Sequence, residues 1–138
     1  MSEFQPRGIR NNNPLNIRIG NKWFGEVDNP TDKEFEQFTS MVYGLRAAFI
    51  LLRRYIKRYG LNTITAIVSR WAPSSENDTW AYIKVVATEM QFSVLDPISF
   101  EDKNTMCRLV SAMAYVECGQ HVPYDVIAAG YNLACESV

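Results

Sequence analysis

The sequence predicts a mainly α-helical single domain with a loop-rich N-terminal segment that holds at most a small β-hairpin. Three observations predict it. Apolar residues recur at three- and four-residue spacing through most of residues 40–138. Residues 1–39 are instead punctuated by turn formers, at Asn11-Asn12-Asn13-Pro14, Gly20-Asn21 and Asp28-Asn29-Pro30. The chain has 138 residues, 47% hydrophobic and 21% charged, which is ordinary globular usage and the length of one domain. It has no repeat, low-complexity tract or linker, so 1–138 reads as one unit.

The elements follow in order. Short extended pieces are expected around Ile17-Arg18-Ile19 and Phe35-Glu36-Gln37-Phe38, the second alternating apolar and polar as a half-buried strand does. Ser40 can cap a helix from Met41 to Tyr59, with Val42, Leu45, Phe49, Leu52 and Ile56 inward and Gly60 at the left-handed stop. Asn62 can cap a second helix through Arg70, with Ile64, Ile67 and Val68 inward and Pro73 beyond its end. Asp78 or Thr79 can start a third, carrying Tyr82, Ile83, Val86 and Met90. Ser99-Phe100-Glu101-Asp102 resembles a capping box for a fourth. Pro123 suits the first turn of a last helix carrying Val126, Ile127, Tyr131 and Ala134.

Composition excludes several classes. The net charge of −1 offers no global attraction to nucleic acid or to a membrane surface. The longest apolar run, Ala47 to Leu52, is far too short to span a bilayer. Met1-Ser2-Glu3-Phe4-Gln5-Pro6-Arg7 has no apolar signal region, so synthesis in the cytoplasm is expected. Three cysteines, Cys107, Cys118 and Cys135, read as reduced apolar residues. One histidine and no ligand-spaced cluster argue against a metal, and no cofactor motif is present.

One glutamate stands out. Met106, Leu109, Val110, Met113 and Val116 form an apolar helical stripe, and Glu117 falls four residues after Met113 and seven after Val110. A carboxylate there is desolvated or at the lip of a cleft, and desolvation raises a carboxyl pKa, as a general acid needs. It also lies in a last helical turn, where negative charge opposes the helix dipole. His121, nearby, reads as a surface or loop group.

Three other segments each carry a structural and a functional reading. Asn12, Asn13 and Asn16 either shape a loop or bond sugar hydroxyls and acetamides. In Trp71-Ala72-Pro73-Ser74-Ser75-Glu76-Asn77-Asp78-Thr79-Trp80, indoles can stack on sugar rings while Ser75, Glu76, Asn77 and Asp78 bond hydroxyls. Equally, it is a helix connection in which Asp78 caps and Glu76 is solvated. Arg53, Arg54, Lys57 and Arg58 are either a solvated face or an attractor for an acidic polymer.

Taken together, these segments resemble a family of phage and prophage proteins, of virion-structural or lytic-transglycosylase-like type. The resemblance covers about residues 7–134. It rests on Arg7-Gly8-Ile9-Arg10-Asn11-Asn12-Asn13-Pro14, Phe35-x-x-Phe38 followed by Gly44-Leu45-Arg46-Ala47, Asn62-Thr63-Ile64, the Trp71-to-Thr79 segment, and Glu117-Cys118-Gly119 followed by Pro123-Tyr124. The family usually has glycine where this chain has Leu15 and asparagine where it has Cys118.

The resemblance implies a lysozyme-like domain acting on bacterial peptidoglycan glycan strands, of lytic transglycosylase or muramidase type. Catalytic roles are implied for Glu117 and Glu76. Substrate contacts are implied for Asn12, Asn13, Asn16, Trp71, Ser75, Asn77, Asp78 and Tyr124. Related enzymes carry a Glu-Ser-Gly motif followed by an Asn-Pro-x-Asn-Ile-like segment. Here Asn13-Pro14-Leu15-Asn16-Ile17 comes first and Glu117-Cys118-Gly119 last, so a circularly permuted fold is expected, with the two segments meeting.

A hydrolase needs a second carboxylate at roughly 5–5.5 Å or 6.5–9.5 Å, for which Glu76 and Asp78 lead and Glu26 and Glu36 follow. A transglycosylase needs one glutamate, which favours that type slightly. The implied partners are the glycan strand and a phage particle or secretion apparatus. Action at the cell wall would follow lysis, virion delivery or another export route. The competing reading is a non-catalytic virion, secretion-system or wall-binding component.

Overall fold

The structure, a computed structural model, describes residues 5–137. Residues 1–4, part of the stretch read above as lacking a signal region, lie outside them. The chain forms helices α1 (Arg7–Arg10), α2 (Met41–Lys57), α3 (Ile64–Trp71), α4 (Thr79–Met90), α5 (Lys103–Cys118) and α6 (Tyr124–Glu136). The predicted mainly helical class holds. In the N-terminal segment the extended pieces meet only at two isolated antiparallel bridges, Arg18 with Phe35 and Glu26 with Phe38. No helix among the described residues is long and apolar enough to cross a membrane.

α5 is the central helix. It packs against α4, α6 and α1, while α2 lies along α6 and touches α3. That position explains a departure from the predicted single stripe. Cys107, Ala112, Ala114 and Cys118 are buried along with Met106, Leu109, Val110 and Met113, whereas Val116 is only half-buried. A helix with neighbours on several sides buries more than one face. The core faces expected of α3 and α4 are buried in full. In α2, Val42 and Ile56 are half-buried, and in α6 so is Val126.

Two predicted caps move by a residue or more. Thr63, not Asn62, caps α3, its Oγ1 accepting from the Ala66 amide at 3.1 Å. Asn62 instead offers its carbonyl to the Ile98 amide at 2.7 Å. Asp102 caps α5, accepting from the Thr105 amide at 3.2 Å and hydroxyl at 2.7 Å. The box read at Ser99 is absent because Ser99 bonds Glu101, which also pairs with Lys57. Ser40 has the extended backbone of a cap but makes no capping bond. α2 ends at Lys57, two residues early, with Gly60 at φ +68 as expected.

The basic face of α2 is not simply solvated. Arg53 donates to the Ala134 carbonyl at 2.8 Å and lies over Phe100, and Arg54 lies over Trp23. These contacts tie the N-terminal segment, Phe100 and α6 to α2.

The N-terminal segment wraps the helices as a strap, and its asparagines hold it. Asn13 is fully buried. Its Nδ2 donates to the Ile17 and Glu36 carbonyls, both at 3.0 Å, and its Oδ1 accepts from the Ile17 amide at 2.9 Å. Asn12 donates to the Phe38 carbonyl at 3.0 Å and sits at φ +55, a left-handed conformation that asparagine tolerates. A Cβ on Gly44 would lie 1.8 Å from the Asn12 carbonyl oxygen, so only glycine lets α2 meet this loop.

The strap also buries Glu36, 7% exposed, beside Glu26, with Glu36 Oε2 unpartnered. Burial first, then the Glu26 charge, lifts the Glu36 carboxyl to about 7 from an ordinary 4.5. Below pH 4.5 the group is protonated in both folded and unfolded chains. As pH rises toward 7 the unfolded chain ionises first, so stability falls. A loss of about 1–3 kcal/mol is expected between pH 4.5 and 7.5. Glu36→Gln should flatten that slope in thermal melts. An unchanged slope would show that Glu36 is not its source.

Candidate functional site

A cleft of about 310 Å³ lies between the strap and the helices. Asn16, Ile17, Arg18, Asn21 and Phe35 form one wall. Leu51 and Tyr55 of α2, Trp71 at the end of α3, and Ala72, Pro73, Glu76 and Asn77 beyond it form the other. Glu117, in the last turn of α5, reaches it from below.

Glu117 is held at both oxygens. Asn16 Nδ2 donates to Oε1 at 2.9 Å, and the Tyr82 hydroxyl donates to Oε2 at 3.0 Å. Burial pushes the Glu117 carboxyl above its ordinary value of 4.5. The two hydrogen bonds and the Arg18 charge oppose that shift without cancelling it. Burial also holds the Tyr82 phenol well above 10, so it remains a donor. Tyr82→Phe removes a bond that favours the charged carboxylate. The Glu117 carboxyl should then titrate at higher pH, which a carboxyl-carbon NMR titration reads directly. A midpoint that is unchanged or lower would contradict the pairing.

Asn16 reaches Glu117 because its backbone turns left-handed, at φ +54, immediately after Leu15. Leu15 itself is fully buried and has no positive φ, so leucine at this position fills the core without straining the loop. Trp71 Nε1 donates to the Leu15 carbonyl at 3.3 Å, which ties the α3 end to the same loop. Cys118 is buried, and its thiol donates to the Pro14 carbonyl at 3.3 Å. Burial and then the Glu117 charge push that thiol up to about 11, so it stays protonated. A Cβ on Gly8 would sit 2.6 Å from the Cys118 sulfur, so α1 packs directly on this corner.

Several sequence-predicted residues therefore meet. Asn16, Trp71, Glu76, Asn77 and Glu117 line one cleft. Glu76 is exposed and lies 3.9 Å from Arg18. Asn77 donates to the Pro73 carbonyl at 3.3 Å. Others are placed elsewhere. Asn12 and Asn13 spend their amides on the strap backbone. Asp78 caps α4 through the Ala81 amide at 3.1 Å, and Ser75 is exposed outside the lining. Tyr124 is 52% exposed at the start of α6, also outside the lining. Its hydroxyl neighbours Cys107 rather than Glu117.

Tyr82, Arg18, Asn21 and Tyr55 are residues of the site that sequence reasoning missed. Tyr82 reads as an ordinary core position of α4, and helical spacing does not reveal where its hydroxyl ends. Arg18 sits in an extended piece whose partner, Phe35, is set by strap folding.

The arrangement is a half-buried carboxyl with a raised pKa, facing a groove of amides, aromatic rings and one guanidinium. Over 131 residues the chain is 41% identical to protein P5 of Pseudoalteromonas phage PM2. The match takes in 91% of this chain and 80% of that protein. The chain belongs to the protein P5 family. The phage part of the resemblance read from the sequence is thereby shown, and the P5 match spans both the strap and the α5 end that build the cleft. No family model matches the chain.

Proposed function

We propose that this P5-family chain is one lysozyme-like domain, circularly permuted, that binds peptidoglycan glycan strands in the cleft and cleaves them with Glu117 as acid and then base. The observation that carries the reading is the Asn16–Glu117–Tyr82 constellation in a saccharide-sized groove. Burial raises the Glu117 carboxyl above its ordinary value, the direction that a proton donor to a glycosidic oxygen needs. The Asn13-Pro14-Leu15-Asn16 segment lies beside Glu117-Cys118, as permutation requires. Trp71 and Tyr55 offer ring faces and edges to sugars, and Asn77 and Asn21 offer amides.

Glu76 shares the cleft but is exposed and held only by a 3.9 Å contact to Arg18, a poor setting for a nucleophile. A transglycosylase route, in which the sugar's own 6-hydroxyl attacks, is therefore the favoured chemistry. Action at the cell wall, delivered by a phage particle, fits membership of a phage protein family.

A second reading has its own support. The established kinship is with a phage protein, and both Glu117 oxygens are occupied by donors from the chain. On that reading the protein is a non-catalytic virion or wall-binding component that kept the fold. Mass analysis of peptidoglycan after incubation separates the readings. Anhydro-sugar ends support transglycosylation and reducing ends support hydrolysis. Binding without products supports the structural role.

A further inference from the structure

We infer that Arg18 is a carboxylate-binding residue of the cleft and makes it prefer glycans that carry a carboxylate over neutral ones. This rests on the glycan-binding reading of the same cleft. Arg18 is the one basic side chain among the described residues that line it. Its backbone is fixed: Arg18 bridges Phe35, and the Ile19 amide donates to the Glu34 carbonyl at 3.0 Å. The guanidinium rests over the Phe35 ring, 5.2 Å from the centroid. Its charge is felt at Glu117.

What the guanidinium lacks is a close anionic partner. Its ion pairs with Glu34 and Glu76 span 3.8 and 3.9 Å, beyond hydrogen-bond reach, and both carboxylates are exposed. Such pairs hold little free energy and exchange readily. Arg7, over the same Phe35 ring, is the contrast. It grips Asp32 with two bonds of 2.7 Å and reaches Glu34 at 3.2 Å. One arginine is consumed by the strap. The other lies over the Phe35 ring with Nη2 toward Glu76 of the cleft and with no side-chain hydrogen bond among the described residues. Its fork of donors matches a carboxylate in two-point geometry, as on a lactyl or peptide-bearing sugar.

The test is a calorimetric or NMR titration with three small probes. They are the N-acetylglucosaminyl-N-acetylmuramic acid disaccharide, its lactyl methyl ester, and diacetylchitobiose. Wild type should bind the free acid about tenfold tighter than the ester or chitobiose. Arg18→Gln should bind all three alike, at the affinity wild type shows for the ester, and Arg18→Lys should recover part of the gap. Arg18 is exposed, so melting of the variants should match wild type. Equal binding of all three probes by wild type, or a preference that survives Arg18→Gln, overturns the role of Arg18 and leaves the glycan reading standing. Binding of none overturns both.

Discussion

Glu117→Gln should abolish release of soluble fragments from purified peptidoglycan while leaving the fold as stable as wild type or more so. A positioned proton donor contributes roughly 10²–10⁴-fold to a rate, and that is the expected loss. Glutamine keeps the shape and can still accept from Tyr82, so binding of the glycan should survive. The stability side follows from burial. The folded pKa of Glu117 lies above the ordinary 4.5, so its contribution is intact below that value. As pH rises through the folded pKa the buried charge forms and stability is lost. Glutamine carries no such charge. The melting temperature of the variant should therefore rise further above wild type as pH climbs. Wild-type release by the variant would remove Glu117 from the mechanism. A parallel fall in stability would make it a structural residue instead.

Gly44→Ala should cost about 3 kcal/mol or more, because the added methyl would enter the Asn12 carbonyl and backbone cannot yield as a flexible side chain can. For a chain of this size that is a drop of roughly 10 °C in melting temperature. Gly20→Ala is the control. Nothing lies within 4 Å of a Cβ there and its φ is not positive, so a change within about 0.5 kcal/mol is expected. If Gly44→Ala melts with wild type, the approach of α2 to the strap is looser than described. The same substitution should disturb the cleft, since the loop that Gly44 admits carries Asn16 four residues on.

Much of the fold was legible locally. Ile64, Ile67 and Val68, or Tyr82, Ile83, Val86 and Met90, announce their helices by spacing, and the structure buries them. Caps were less legible, because Asn62 against Thr63 or Ser99 against Asp102 is a choice between good acceptors within three residues of one another. Tertiary partners decide it, such as the Ile98 amide that takes the Asn62 carbonyl. Part of the candidate site was legible too. Residues Asn16, Trp71, Glu76, Asn77 and Glu117 share the cleft, but Asn12 and Asn13, of the same chemistry, do not. An amide that suits a sugar suits a backbone carbonyl equally well, and only the course of the strap distinguishes the two uses.

By itself the sequence determined the helices and a glutamate at the end of an apolar stripe, because both depend on contacts within a few turns of chain. It also carried the kinship with a phage protein. The meeting of Glu117 with the segment 13–17 was expected from the resemblance, but the tertiary structure alone decided which atoms Glu117 touches. Asn16 lies 101 residues away and Tyr82 lies 35 away. It alone distinguished Arg7, bound to Asp32, from Arg18, held open on the cleft wall. Such pairings depend on how helices and strap pack, and the periodicity of one segment holds no information about where another comes to rest.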